Sequence, residues 1–381
     1  MELPVILRRS ISNDVISAAH RCLENARRFR SIQREVFLRL LQLGKRLRII
    51  IDDSDAHGKE TSAESLAAGR LEAAGASVKR HHMSNLQHNK TIVVSGAAGQ
   101  AVVCGSTNYT WRGFFVQNNN ALIIRGATAV EIFQRAFEDY LSTNSVVGFG
   151  KLVSAMGWQD LEIPGVDAQV TFSPHSESNA VLDTISEDVG AAQSSLLYSL
   201  AFLAQTKGSI RETITRVTED PAVFTYGMAD RRIGGIKLET PDGNVYPVYP
   251  AALSEHLPEP FKSEPDGLSG KHGTRMHHKF IVVDFDKPTA RVYLWSYNFS
   301  LPADRENGEN LVVIRDRKIA VSYMVEVLRM FDHYHFRVVQ TRKGARTRLH
   351  LAKPPQDVGE KTWFDDYFTV PQKIRDREIF A

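Results

Sequence analysis

The sequence predicts an α/β fold built from two similar halves, each a mixed β-sheet flanked by helices, with the halves related by a pseudo-twofold axis. Apolar runs of strand length alternate with amphipathic helical stretches along the chain, the order that builds layered α/β sheets. The succession of elements after His88-Asn89-Lys90 is also repeated after His277-His278-Lys279, 189 residues downstream. With 381 residues, 43% of them hydrophobic, the chain can bury one large core or two of ordinary size.

Taken in order, Gln33 to Leu43 reads as a helix leading into a strand at Arg48 to Asp52. Ser62 to Ala74 reads as a further helix, opened by hydroxyl caps and stopped by Gly75. After His88-Asn89-Lys90 come a strand at Thr91 to Val94, a loop at Gly96 to Gln100, and a strand at Ala101 to Cys104. A small polar stretch, Gly105 to Thr110, follows, and Gln117 to Asn120 then runs into a strand at Ala121 to Ile124. Ile132, Phe133, Phe137 and Tyr140 recur at helical spacing and mark the core face of a closing helix.

The second copy opens with a strand at Val170 to Pro174 and an apolar run at Ser195 to Leu203. A helix at Arg211 to Val217 and a strand at Ala222 to Met228 are matched to the first half's Gln33 helix and Arg48 strand. After His277-His278-Lys279, strands are expected at Phe280 to Val283 and Arg291 to Leu294, then the polar stretch Trp295 to Ser300. Asn307 to Asn310 runs into a strand at Leu311 to Ile314, and Tyr323, Val327, Leu328 and Phe331 mark the closing helix. The expected division is a first half over 1–145 without an opening strand, a linker over 146–167, a second half over 168–336 and a basic extension over 337–381.

A net charge of +3 permits an anionic substrate without requiring one. Cys22 and Cys104 are the only cysteines and lack paired spacing, which argues against a disulfide framework or a structural zinc site. No apolar stretch reaches the length of a membrane span and the N-terminus has no apolar signal region, so a cytoplasmic protein without membrane insertion is expected. His81 and His82 are adjacent in sequence and His278 alternates away from His277 and Lys279, so packing or surface roles are expected for all three.

His277, Lys279 and Asp284 form a complete His-x-Lys-x4-Asp pattern, followed by Ser296-x-Asn298 and Asn307-x-Glu309. The first half carries His88, Lys90, Ser106 and Asn108, with Ser95 at the Asp position and Asn119 at the Glu position. This tandem pattern resembles the phospholipase D superfamily, over most of residues 45 to 335. The resemblance implies a phosphodiesterase acting through a phosphohistidine, with His88, Lys90, His277, Lys279, Asp284 and Glu309 as catalytic residues and no metal or other cofactor. Residues two apart in a strand share a face, so each half presents an imidazole beside an ammonium. Lys90 and Lys279 suit the non-bridging oxygens of a phosphate, and Ser106, Asn108, Ser296 and Asn298 offer neutral donors to it. Read from register, Glu309 orients His277 as the acid and Asn119 sits by His88, the nucleophile.

For the substrate, nucleic acid is expected ahead of phospholipid. Arg337, Arg342, Lys343, Arg346 and Arg348 form a run free of acidic residues, and Lys45, Arg46 and Arg48 form a second cluster. Two alternatives stand beside a nuclease: a phospholipase D or cardiolipin-synthase-like phosphatidyl transferase, and a non-catalytic nucleic-acid-binding component of a defence or repair complex.

Overall fold

The computed structural model describes residues 31–96, 99–110, 113–114, 117–230, 236–240, 245–248, 274–343, 356–357, 359–362 and 364–380. The first half runs α1 (Ser31–Leu43), β1 (Arg48–Ile51), α2 (Ala63–Ala73), β2 (Ser77–Arg80), β3 (Thr91–Gly96), β4 (Gly99–Gly105), β5 (Ala121–Arg125) and α3 (Ala127–Ser142). A short helix α4 (Val146–Phe149) and strand β6 (Gln159–Asp160) lead into β7 (Asp167–Ser173), α5 (Leu182–Gly190), β8 (Ser195–Leu200), α6 (Ser209–Thr218) and β9 (Phe224–Asp230). Then come β10 (Ile236–Glu239), β11 (Val245–Val248), β12 (Lys279–Val283), β13 (Arg291–Trp295), α7 (Leu301–Arg305), β14 (Glu309–Arg315) and α8 (Arg317–Lys343). Helices α9 (Asp366–Thr369) and α10 (Pro371–Ile379) close the chain.

Local chemistry sets several of these limits. Ser62 caps α2 by accepting from the Ser65 amide at 3.1 Å, and Gly75 leaves the helix with φ +92°, a backbone that favours glycine. Strand β12 is apolar without alternation after Lys279 because it lies inside the sheet between β8 and β13, and all five of its residues are buried.

The second half forms a nine-stranded mixed sheet in the order β11-β10-β9-β8-β12-β13-β14-β7-β6, in which only β8 and β9 run parallel. The first half splits the corresponding strands into a parallel pair, β1-β2, and an antiparallel meander, β3-β4-β5. The parallel pairs identify the matching elements, so β2 corresponds to β9 and α2 to α6. This corrects the expected match of the Gln33 helix with the Arg211 helix, which is one strand-helix unit out of step. Helical period alone marks a helix without marking its place in the order.

In the second half β7 covers the outer edge of β14. Among the described residues nothing pairs with the outer edge of β5, and Ile123 there is 56% exposed. The opening strand expected to be missing from the first half falls on residues outside the described ones. The expected linker, 146–167, is folded: Phe149 stacks on Tyr140 with ring centroids 4.2 Å apart, and Ala155 and Leu161 are buried. Helix α8 runs unbroken past residue 336 to Lys343, so the expected boundary before the basic extension falls within a helix.

One core joins the halves. Phe133 of α3 meets Phe172 of β7 at 5.1 Å and Trp295 of β13 at 5.8 Å, both edge to face. No described helix is long and apolar enough to cross a membrane.

Candidate active site

The two His-x-Lys segments meet where the halves exchange backbone. Gln87 forms a parallel bridge with Gly308, and Asn118 forms one with Met276. The His88 amide donates to the Gly308 carbonyl at 2.8 Å, and the His277 amide donates to the Asn118 carbonyl at 3.0 Å. The exchange is reciprocal: each histidine is held by the loop of the other half that carries the orienting residue. A Cβ on Gly308 would meet the end of the Gln87 side chain, which would have to shift to admit it.

This crossing corrects the expected pairing. Glu309 lies beside His88, with its carboxylate 3.0 Å from Nδ1, and Asn119 lies beside His277, with Oδ1 2.9 Å from Nδ1. Register within a half suggests neighbours within that half, but the backbone bridges carry each orienting residue across the boundary. Glu309 is fully buried and also accepts from Asn307 Nδ2 at 2.9 Å. The Asn119 amide is fixed in orientation, since Ser106 Oγ donates to its Oδ1 at 3.0 Å and its Nδ2 donates to the Gly113 carbonyl at 2.9 Å.

His277 Nδ1 faces two acceptors, Asn119 Oδ1 and the Ser106 carbonyl at 3.0 Å, so these partners assign the ring proton to Nδ1. The Lys279 ammonium stands 3.2 Å from Nε2 of the same ring and donates to the His277 carbonyl at 3.0 Å. Lys90 donates to the His88 carbonyl at 2.7 Å. Lys90 and Lys279 are 2% and 1% exposed, so their charges act in a medium of low polarity.

The four groups act on one another. Burial, then the Lys90 charge, pushes the His88 imidazole below its ordinary pKa; Glu309 opposes this and Lys279 adds to it. Burial, then Lys279, Lys90 and His88, pushes His277 well below the ordinary value, with only the Ser106 carbonyl opposing. Phe202 stands edge-on to His277 at 6.1 Å, and the Lys279 ammonium lies 5.6 Å from its ring centre. That residue was expected only as part of an apolar run.

Ser106 and Ser296 depart from their expected role. Both are fully buried, and each hydroxyl accepts from the amide at the start of the strand that follows, Asn120 and Asn310 respectively, at 3.0 Å. Ser106 donates to Asn119, and Ser296 to the carbonyl or side-chain oxygen of Asn310 at 3.3 Å. They hold the site-bearing turns. Asn108 and Asn298 follow those turns, half-buried, each with a buried carboxamide oxygen that makes no hydrogen bond among the described residues.

Asp284 is not at the site. It ends β12, five residues beyond Lys279, about 16 Å along an extended strand. Its Oδ1 accepts from the backbone amides of Gln193, Ser194 and Ser195 at 2.9, 2.8 and 3.2 Å, holding the turn into β8. His278 is buried against Phe280, with rings 5.2 Å apart, on the side of the strand away from the cleft. Tyr140 and Tyr334, expected only as core or left aside, each brace the other half: Tyr140 donates to the Ser173 carbonyl at 2.5 Å and to the Glu309 carbonyl at 3.1 Å, and Tyr334 accepts from Asn118 Nδ2 at 2.7 Å.

A bilobal α/β protein with a buried His-Lys pair contributed by each lobe is the class that this architecture defines. Residues 29–141 match the family model described as cardiolipin synthase, PLD-like domain, which supports the resemblance to the phospholipase D superfamily. It is 44% identical over 48 residues to the phospholipase D of Rickettsia prowazekii (strain Madrid E) and 42% identical over 48 residues to that of Rickettsia felis. Each match spans 13% of this chain and 22% of the relative. The phosphatidylserine synthase of Haemophilus influenzae shares the fold, with a TM-score of 0.53 and 13% identity over 88% of this chain and 83% of that structure.

Proposed function

We propose that the chain is a phosphodiesterase that works through a covalent phosphohistidine without a metal ion. The observation that carries this reading is the convergence of two buried ammonium groups and two imidazoles, one of each from either half. A phosphate diester between Lys90 and Lys279 would neutralise them, and its charge would in turn favour protonation of a neighbouring imidazole.

His88 is the nucleophile in this reading, for a reason different from the one the sequence suggests. Its Nδ1 faces Glu309, which leaves the Nε2 lone pair for phosphorus. As the P–N bond forms, the ring becomes cationic, and Glu309 compensates the charge. A phosphorylated His277 would instead have two lysines and an uncharged amide as neighbours. The P–O bond breaks as His277 gives a proton to the leaving oxygen. His277 then takes a proton from water, whose oxygen attacks phosphorus and breaks the P–N bond. An alcohol in place of water makes the same step a transfer.

For the substrate, the sequence reading favours DNA or RNA. Its main support, the basic run from 337 to 348, lies outside the described side chains, and Arg48 of the second cluster is held in an ion pair with Glu138. The phosphatidyl alternative draws on the names of the Rickettsia relatives. Parallel incubation of the full chain with plasmid DNA, RNA and phosphatidylcholine separates these classes. Mass spectrometry with bis-p-nitrophenyl phosphate tests the chemistry: His277→Asn should accumulate an adduct on His88, and His88→Asn should form none. An adduct on His277 of the unaltered chain would reverse the roles, and turnover by His88→Asn,His277→Asn would refute the mechanism.

A further inference from the structure

Beside the active site, at the C-terminal ends of the parallel strands β1 and β2, lies a polar cavity of about 370 Å³. Its lining includes Asp53, Arg80, His81, His82, Ser84 and Asn144. The carboxyl ends of parallel strands are where open α/β sheets bind ligands. Asp52, next to the lining residue Asp53, ties this region to the candidate active site: its Oδ2 accepts from the Gln87 amide at 2.5 Å, one residue before His88.

The Arg80 guanidinium in this lining rests on neutral partners. Asp53 is taken up by His82, with Oδ1 2.7 Å from Nδ1. Arg80 donates to the Ser65 hydroxyl at 2.9 Å and to the carbonyls of Asp52 and His57 at 3.1 and 2.7 Å, all neutral oxygens. No carboxylate among the described residues forms an ion pair with Arg80, and its Nε is buried without a hydrogen bond. A cation held by neutral oxygens, beside an imidazole that a carboxylate orients and a hydroxyl and carboxamide that can donate, makes a receptor for a tetrahedral oxyanion.

We propose that this cavity is a second anion subsite, which binds a phosphate group next to the catalytic cleft. The inference deepens the phosphodiesterase reading, because the phosphate could be a second one carried by the substrate. A free phosphate ion acting as an effector has the same chemistry.

Calorimetric titration of the full chain with inorganic phosphate tests the subsite and the catalytic reading separately. Two phosphates per chain are expected, one lost in Lys279→Met and the other in His82→Gln. Ser84→Ala should weaken the second about tenfold, and it keeps the proposal testable if altering His82 disturbs folding. Binding of only the Lys279-dependent phosphate by the unaltered chain, or two phosphates retained in both His82→Gln and Ser84→Ala, would overturn the subsite and leave the catalytic reading intact. A single phosphate that is lost in His82→Gln but kept in Lys279→Met would support the subsite and count against the catalytic cleft.

Kinetics then identify the source. With bis-p-nitrophenyl phosphate, which has one phosphate, His82→Gln should turn over within about twofold of the unaltered chain. A KM raised about tenfold by His82→Gln only for a substrate with a terminal second phosphate, such as a 5′-phosphorylated dinucleotide, assigns the subsite to the substrate. A change in one-phosphate turnover on adding free phosphate, absent in His82→Gln, assigns it to an effector. Neither effect, despite two bound phosphates, would overturn a role beside the catalytic cleft.

Discussion

The carboxylate of Glu309 lies 3.0 Å from Nδ1 of His88, although the two residues are 221 positions apart and belong to different halves. Burial and the Lys90 charge drive His88 towards its neutral form, and Glu309 is the group that opposes them. Glu309→Gln keeps the shape of the side chain and removes that support. By comparison with loss of the carboxylate behind a catalytic histidine, the rate of adduct formation should fall about 100-fold or more, with little change in stability. Rapid-quench measurement of the first turnover checks this, and unchanged adduct formation would remove Glu309 from the chemistry.

Turnover should persist in EDTA. In the proposed mechanism the positive charge that magnesium supplies in other phosphoryl-transfer sites comes from Lys90 and Lys279, both almost wholly buried. Lys279→Met should lower kcat at least 100-fold, and added magnesium should not restore it. Strict dependence on a divalent cation would sink this assignment.

Asp284 belongs to the fold. Replacing it with alanine leaves the amides of Gln193, Ser194 and Ser195 without their shared acceptor and places alanine at φ +51°, where Asp and Asn are better tolerated. A loss of about 3 kcal/mol in unfolding free energy is expected. The kcat of the protein that remains folded should be unchanged. Denaturant titration alongside active-site titration separates the two, and a fall in kcat at full stability would return Asp284 to the catalytic set.

His278 should make the protein sensitive to acid. Burial, with the charges of Lys279 and Arg329, holds its imidazole down to about 3. The unfolded chain binds a proton near pH 6.5 that the folded chain refuses, so this contribution to stability is complete above pH 6.5 and is lost as the pH falls towards 3. The slope approaches about 1.4 kcal/mol per pH unit for this one group. His278→Gln should reduce the pH dependence of the urea midpoint between pH 6.5 and 4 by about one proton, and an identical slope in the variant would show that His278 already titrates normally.

The histidines and lysines of the candidate site, His88, Lys90, His277 and Lys279, could be picked out in the sequence because spacing by two residues in a strand fixes a shared face, and the pattern occurs twice. Strand β12 and both closing helices could be read for the same reason, since a continuous apolar run or a helical repeat reports burial directly. The partners of the histidines could not be read that way. Glu309 and Asn119 occupy equivalent places in the two halves, and nothing in their register says that each crosses to the other half. Gly308 carried a faint signal, since a Cβ there would push against the end of the Gln87 side chain. Ser106 and Ser296 misled because a hydroxyl close to a phosphate pocket and one that ties a turn look alike in sequence. Asp284 misled because a motif records co-occurrence along the chain, whereas the strand carries it to the opposite end of the sheet.

The backbone exchange at Gln87 with Gly308 and at Asn118 with Met276 treats the two histidines even-handedly, giving each the same amide contact with the opposite lobe. Had the lobes been identical, the cleft would have had no preferred sense, and a diester entering it could have been attacked from either side. In the proposed mechanism, one carboxylate facing one carboxamide would remove that ambiguity. Two copies of the second lobe docked together would place a glutamate behind both rings, and two copies of the first would place an asparagine behind both. Only the unlike pair gives the cleft a polarity, so covalent linkage of the two lobes in one chain guarantees that every assembled site faces the same way.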